Sequence, residues 1–181
     1  MNREEALKLV NQHLDNKNLV KHCLAVEACM RTLAPRFNGD TDTWGLAGLL
    51  HDLDYAYTAD DPEQHGLKTA EMLAESGLVP EILHAIKAHN GKAGLDSAMD
   101  VALYTTDPTT GFIIACALMH PDRKLESIDL RFMQKRFKAK AFARGASREQ
   151  MAECRRMDME LDEFLSTCLA AMTGIAGDLG L

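Results

Sequence analysis

In the stretch AGLLHDLDYAY, residues 47–57, an apolar run from Ala47 to Leu50 ends directly in His51 and Asp52. An imidazole and a carboxylate at the end of a core segment cost several kcal/mol unless they are paired, hydrogen-bonded or bound to a metal. Four more residues of the same chemistry fall on inward faces or helix ends. His22 stands mid-helix, beside Cys23 and one turn before Val26. His65 opens a segment on the face of Thr69 and Met72, and His89 closes the stripe Val79, Ile82 and Ile86. Asp107 follows Leu103 by four residues and precedes Pro108. Singly, each reads as an ordinary hydrogen-bonded core residue. Together they aim six imidazole and carboxylate groups, from five helices, at one core, and such a set calls for a cation. Nitrogen and oxygen donors without thiolate suit Mn, Fe, Co, Ni or Zn, with Mg at a more oxygen-rich position. A closed structural zinc site lacks its cysteine set. His84 falls on the far side of the helix ending at His89 and is expected in solvent. His13 and His120 have no evident partner and read as surface residues.

The elements that must carry these residues are helical. Leu19, Cys23, Val26, Met30 and Leu33 step by four and three, as one face of a helix does. Asn16 or Asn18 caps it, and Pro35 with Asn38-Gly39 ends it. Asp40 to Thr43 cap a helix through Leu53. Pro62 opens one reaching Gly77, and Pro80 one that stops near Asn90-Gly91. Further helices are expected from Ser97 to Asp107, from Pro108 to Met119, from Ser127 to Ala143, and from Ser147 to Met172, the last with a capping box closed by Gln150. The tail with Gly174, Gly177 and Gly180 is expected to fray. No segment alternates with period two, and no long linker divides the chain. The expectation is a single all-α bundle of roughly eight or nine helices over residues 1–181.

The bulk numbers restrict the partners. The 181 residues suffice for one core. A net charge of -7 argues against a nucleic-acid polymer or an anionic membrane as the main partner. Five cysteines without a CxxC pair read as buried thiols of a reducing compartment. The N-terminus MNREEALKLV has no apolar stretch of signal-peptide type. The longest apolar run, Phe112 to Met119, is too short to span a bilayer. A cytoplasmic protein is expected.

The order H…HD…H…H…D resembles the HD-domain superfamily of metal-dependent phosphohydrolases. AGLLHDLDY is similar to its central HD segment, KHCLAVE to its first histidine helix and LYTTDPTTG to its closing aspartate. These motifs cover about residues 19–118, and the extension over about 121–181 resembles a little-characterised branch of predicted HD hydrolases. There is no HDIG or GYP tail, so the cyclic-di-GMP phosphodiesterase branch is not supported. The resemblance implies an HD-domain helical bundle. It also implies that His22, His51, Asp52 and Asp107 hold one divalent metal, and that His65 and His89 hold a second with Asp52 bridging.

Two such ions, roughly 3.5–4 Å apart, activate a water near neutral pH and clamp a phosphoryl group. The implied activity is hydrolysis of a small phosphate ester, a nucleotide being one candidate. Asp52 is the central catalytic ligand. Asp54 either orients a ligand histidine or accepts a proton, or is an ordinary exposed aspartate. Tyr55 and Tyr57 line a pocket or pack on a neighbouring helix. Nine basic residues lie between Arg123 and Arg148, including Lys140. They are a solvated surface, or Lys124 and Arg136 reach the substrate's phosphates. Two other readings share the ligand set: a di-iron site that activates oxygen, and a metal-braced binding domain without catalysis. Oligomeric state is not indicated.

Overall fold

The computed structural model describes residues 1–139 and 141–181, so Lys140 of the basic segment lies outside the described residues. Among the described residues there is no strand. The α-helices are α1 (Arg3–His13), α2 (Lys17–Leu33), α3 (Thr41–Leu50), α4 (Tyr55–Thr58), α5 (Leu67–Met72), α6 (Pro80–His89), α7 (Ala98–Met119), α8 (Leu130–Phe137), α9 (Arg148–Ala152), α10 (Leu161–Thr173) and α11 (Ala176–Leu179). Three 3-10 turns, Ala34–Phe37, Leu125–Ser127 and Glu153–Met157, join some of them. The all-α architecture is as expected. The count of elements is higher because several expected helices are broken.

The centre is the packing of α2 on α3, with α6, α7 and α10 around them. Cys23, Val26, Met30 and Leu33 of α2 are fully buried, as their spacing requires, in one core with Leu49 and Leu50 of α3 and Phe112 of α7. Gly48 lets α3 approach closely, since a Cβ there would lie 3.0 Å from the Glu27 backbone on α2. That approach occurs one turn before His51. Buried Glu27 sits between Arg3 of α1 (2.6 Å) and Arg31 (2.8 Å), which ties the N-terminal helix to the same pair. All five cysteines are buried free thiols.

The structure corrects the expected boundaries in particular places. Pro108 does not divide a helix: α7 runs unbroken from Ala98 to Met119 with Pro108 inside. A proline inside a helix costs about 3 kcal/mol. Fully burying a large apolar side chain gains about 1.5–3 kcal/mol, and Phe112, Ile113 and Cys116 beyond it are all buried, so continuity wins. As one helix, α7 is long and apolar enough to cross a membrane, yet 67% of its apolar window is buried in the fold, as befits a core helix. The Pro62–Gly77 helix shrinks to α5, because residues 62–66 are turns and Gly66 has φ of 79°. The α3 helix stops at Leu50. The segments 127–143 and 147–172 are likewise broken, the second at Asp158, whose φ of 53° is a left-handed conformation that aspartate tolerates. The glycine-containing tail folds back as α11, with Leu179 buried and its carbonyl accepting from Lys21 Nζ at 2.7 Å.

Candidate metal centre

The six residues converge. His22 Nε2 lies 3.2 Å from His51 Nε2, 3.1 Å from Asp107 Oδ1 and 3.5 Å from Asp52 Oδ2. His65 Nε2 lies 3.2 Å from His89 Nε2, and Asp52 Oδ1 is 3.2 Å and 3.7 Å from the two. Asp52 Oδ1 is also 3.3 Å from His51 Nε2. One carboxylate oxygen of Asp52 thus faces His51, His65 and His89, and the other faces His22. The donor atoms of His22, His51 and Asp107, and those of His51, Asp52 and His89, lie within 4.8 Å of one another. His51, Asp52 and His89 are buried, and His22, His65 and Asp107 partly so.

Each imidazole is fixed from behind. His51 caps the C-terminus of α3 and His89 ends α6, where the last turn leaves carbonyls without helical partners. His51 Nδ1 donates to Gly48 O at 2.8 Å, and His89 Nδ1 to Ile86 O. In both, the carbonyl belongs to the residue three positions back. His65 Nδ1 donates to Asp54 Oδ1 at 2.8 Å. His22 Nδ1 donates to Thr110 Oγ1 at 3.1 Å, because the Thr110 hydroxyl hydrogen goes to Asp107 O. Carbonyl and carboxylate oxygens only accept, so every Nδ1 carries the proton and every Nε2 turns a lone pair inward. Two neutral Nε2 lone pairs 3.2 Å apart repel unless a cation lies near them. The donor set therefore fits a divalent metal, which His22, His51, Asp52, His65, His89 and Asp107 could hold.

Protons are the substitute when metal is absent. Burial opposes the charged form of His51, but the Asp52 and Asp107 carboxylates outweigh it and raise its pKa to about 9. Burial likewise opposes a charge on His65, and bonds to Asp52 and Asp54 raise it to about 10. Burial would raise Asp52 and Asp107, yet the surrounding histidines hold both well below the usual carboxylate range.

Asp54 is fully buried, not exposed. Besides His65, it accepts Gly66 N at 2.8 Å and Thr69 N at 2.9 Å. It thus caps α5, whose own Gly66 has no side chain to do so. Thr110 and Thr69 are the supporting residues that sequence reasoning missed. The signal for Thr110 was its place one turn after Asp107 on the same face.

The remaining expected residues lie elsewhere. Lys124 is exposed, with Nζ 3.4 Å from Glu126. The Arg136 guanidinium lies over the Phe132 and Phe142 rings, at 4.9 and 5.7 Å. A cavity of about 410 Å³ opens beside His22 and Asp107, and neither cation lines it. Tyr55 sits edge-on to His65 at 5.6 Å, while Tyr57 is exposed and bonds His13 Nδ1 at 3.0 Å, so His13 has a partner after all. His84 is not free in solvent: its Nδ1 lies 3.0 Å from buried Asp100, which also caps α7. His120 packs edge-on to Phe132 and lies 3.5 Å from Asp122.

The family model described as HD domain matches residues 19–123. Among curated proteins, the chain is 32% identical over 108 residues to Ribonuclease Y of Sulfurovum sp. (strain NBC37-1), covering 58% of this chain and 21% of that one. It is 28% identical over 96 residues to Ribonuclease Y of Oleidesulfovibrio alaskensis, and 29% over 96 residues to that of Geobacter sulfurreducens, each covering 53% of this chain and 18% of the relative. The chain thus spans about a fifth of the length of these relatives. No solved structure matches.

Proposed function

We propose that this chain, which belongs to the HD-domain family, is a metal-dependent phosphohydrolase that cleaves a small phosphate ester. The observation that supports this best is the arrangement of its four inward histidines. Each Nδ1 is anchored, each Nε2 lone pair faces the Asp52 carboxylate, and those of His22 and His51 also face Asp107. A pair of divalent cations bound there supplies an activated water and neutralises charge on phosphoryl oxygens. The chain's own part is preorganisation. Asp52 links the two groups of histidines through its two oxygens. Asp54 holds His65, Gly48 O holds His51, Ile86 O holds His89, and Thr110 joins His22 to the Asp107 backbone. Both Asp54 oxygens are engaged, so we read it as a positioning residue and not a proton acceptor.

The relatives' name, Ribonuclease Y, makes RNA the substrate to test against. The net charge of -7 and a cavity with no lysine or arginine lining it among the described residues favour a small ester. We read residues 1–181 as one domain, and the five buried thiols as those of a cytoplasmic protein.

The test is protein loaded in turn with Mn, Fe, Co, Ni, Zn or Mg and assayed for phosphate release from phosphorylated metabolites and for chain cleavage of RNA. Release from a small ester, with bound metal measured in parallel, is the expected result. Full metal content with no phosphate released from any ester refutes the reading. An absorption band that develops with oxygen on the iron form would move it to the di-iron alternative, and inertness in both assays to a binding domain.

A further inference from the structure

The cavity beside His22 and Asp107 has an unusual construction. One wall is α7, with Gly111 one turn beyond Asp107 and Ala115 a further turn on. The other is the loop carrying Ala143, Gly145 and Ala146, which lies beyond the residues that match the family model. Arg148 holds that loop in place. Its guanidinium donates to the carbonyls of Phe142 (2.8 Å), Ala143 (3.2 Å) and Ala146 (2.7 Å) and lies over the Phe112 ring at 4.7 Å. The outer wall is thereby tied to the core helix by a planar donor fork rather than left loose.

Neither glycine is needed by the backbone or by packing. Both lie outside the positive-φ region, and a Cβ placed on either would meet nothing within 4 Å. Gly111 stands inside a 22-residue helix, where glycine is less stabilising than alanine. Its presence keeps open the space next to the metal centre. Among the described residues, the lining contains no charged side chain besides His22 and Asp107, and no Phe, Tyr or Trp on which a base could stack.

We infer that this cavity receives the organic part of the phosphate ester, that this part is uncharged and largely apolar, and that Gly111 and Gly145 set its permitted size. The inference rests on the phosphohydrolase reading for the phosphoryl end, while the slot is testable without turnover. Hexyl phosphate and inorganic phosphate serve as probes on the metal-loaded protein, followed by calorimetry and, where turnover occurs, by KM and kcat. The parent binds hexyl phosphate more tightly than inorganic phosphate. Gly111→Leu or Gly145→Leu, each filling the slot from one wall, weakens hexyl phosphate by about tenfold or more, as an apolar pocket discriminates. The same variants keep their metal content and their affinity for inorganic phosphate. Gly111→Ala raises the melting temperature and weakens hexyl phosphate less than leucine does, which separates occlusion from misfolding. Equal affinity of the parent for the two probes, or hexyl phosphate binding unchanged in both leucine variants, overturns the assignment. Selective binding that Gly111→Leu abolishes, in a protein that turns over no ester, keeps the slot and refutes only the hydrolase reading.

Discussion

Asp54→Asn is expected to empty one metal position while sparing the other. The two backbone donors, Gly66 N and Thr69 N, lie 2.8 and 2.9 Å from Asp54 Oδ2. An asparagine must turn its carbonyl oxygen toward them, so its NH₂ takes the Oδ1 place, 2.8 Å from His65 Nδ1. Two donors cannot face each other, and His65 must move its proton to Nε2. That nitrogen then donates to Asp52 Oδ1, 3.2 Å away, and no longer offers a lone pair. Altering such a supporting partner costs about 10–100-fold in metal affinity, or about 1.4–2.8 kcal/mol at about 1.4 kcal/mol per tenfold. His22, His51 and Asp107 do not touch Asp54, so their site keeps its affinity. The assays are metal stoichiometry after dialysis, competition with a chelator, and nitrogen NMR of the His65 tautomer. A variant that binds both equivalents as tightly as the parent, with His65 still protonated on Nδ1, would refute the reasoning.

Asp52→Ala removes the residue that faces both histidine pairs, and is expected to abolish metal binding and hydrolysis with the helical circular dichroism retained. Metal-free protein should lose melting temperature as pH rises from about 6.5, the ordinary histidine value, through the raised values of about 9 and about 10 for His51 and His65. The sign follows because raised histidines stabilise the fold while protonated and cease to do so on deprotonation. Metal-loaded protein should show no such decline over the same range, since the cations replace those protons. His84→Gln should leave metal content unchanged yet lower stability by about 1.5–3 kcal/mol, read by denaturant unfolding, because it removes a bond to the buried Asp100 carboxylate. Lys124→Ala and Arg136→Ala would each lower kcat/KM by about tenfold or more if the side chain held substrate phosphate. With Lys124 beside Glu126 and Arg136 over Phe132 and Phe142, unchanged kinetics are the expected outcome.

The sequence by itself determined the helical class and the candidate ligands. Period 3.6 places His22 and His89 among buried residues, and a His-Asp pair after an apolar run announces itself without any partner in view. It could not show what each residue meets, because a repeat reports a face and not the group across from it. His22 finds Thr110 over 88 positions of sequence, and Asp54 finds Thr69 over 15. His84, on the face opposite the ligand stripe, looked solvated until α7 brought Asp100 beside it. Pro108 read as a break because the local cost of a proline is visible in sequence, whereas the burial of Phe112 and Ile113 that outweighs it is not. For His51 and His89 the inward nitrogen follows from the local turn, since each Nδ1 meets the carbonyl three residues back in its own helix. For His22 and His65 only tertiary structure decides it, because the acceptors behind the rings, Thr110 and Asp54, come from other segments that packing brings up.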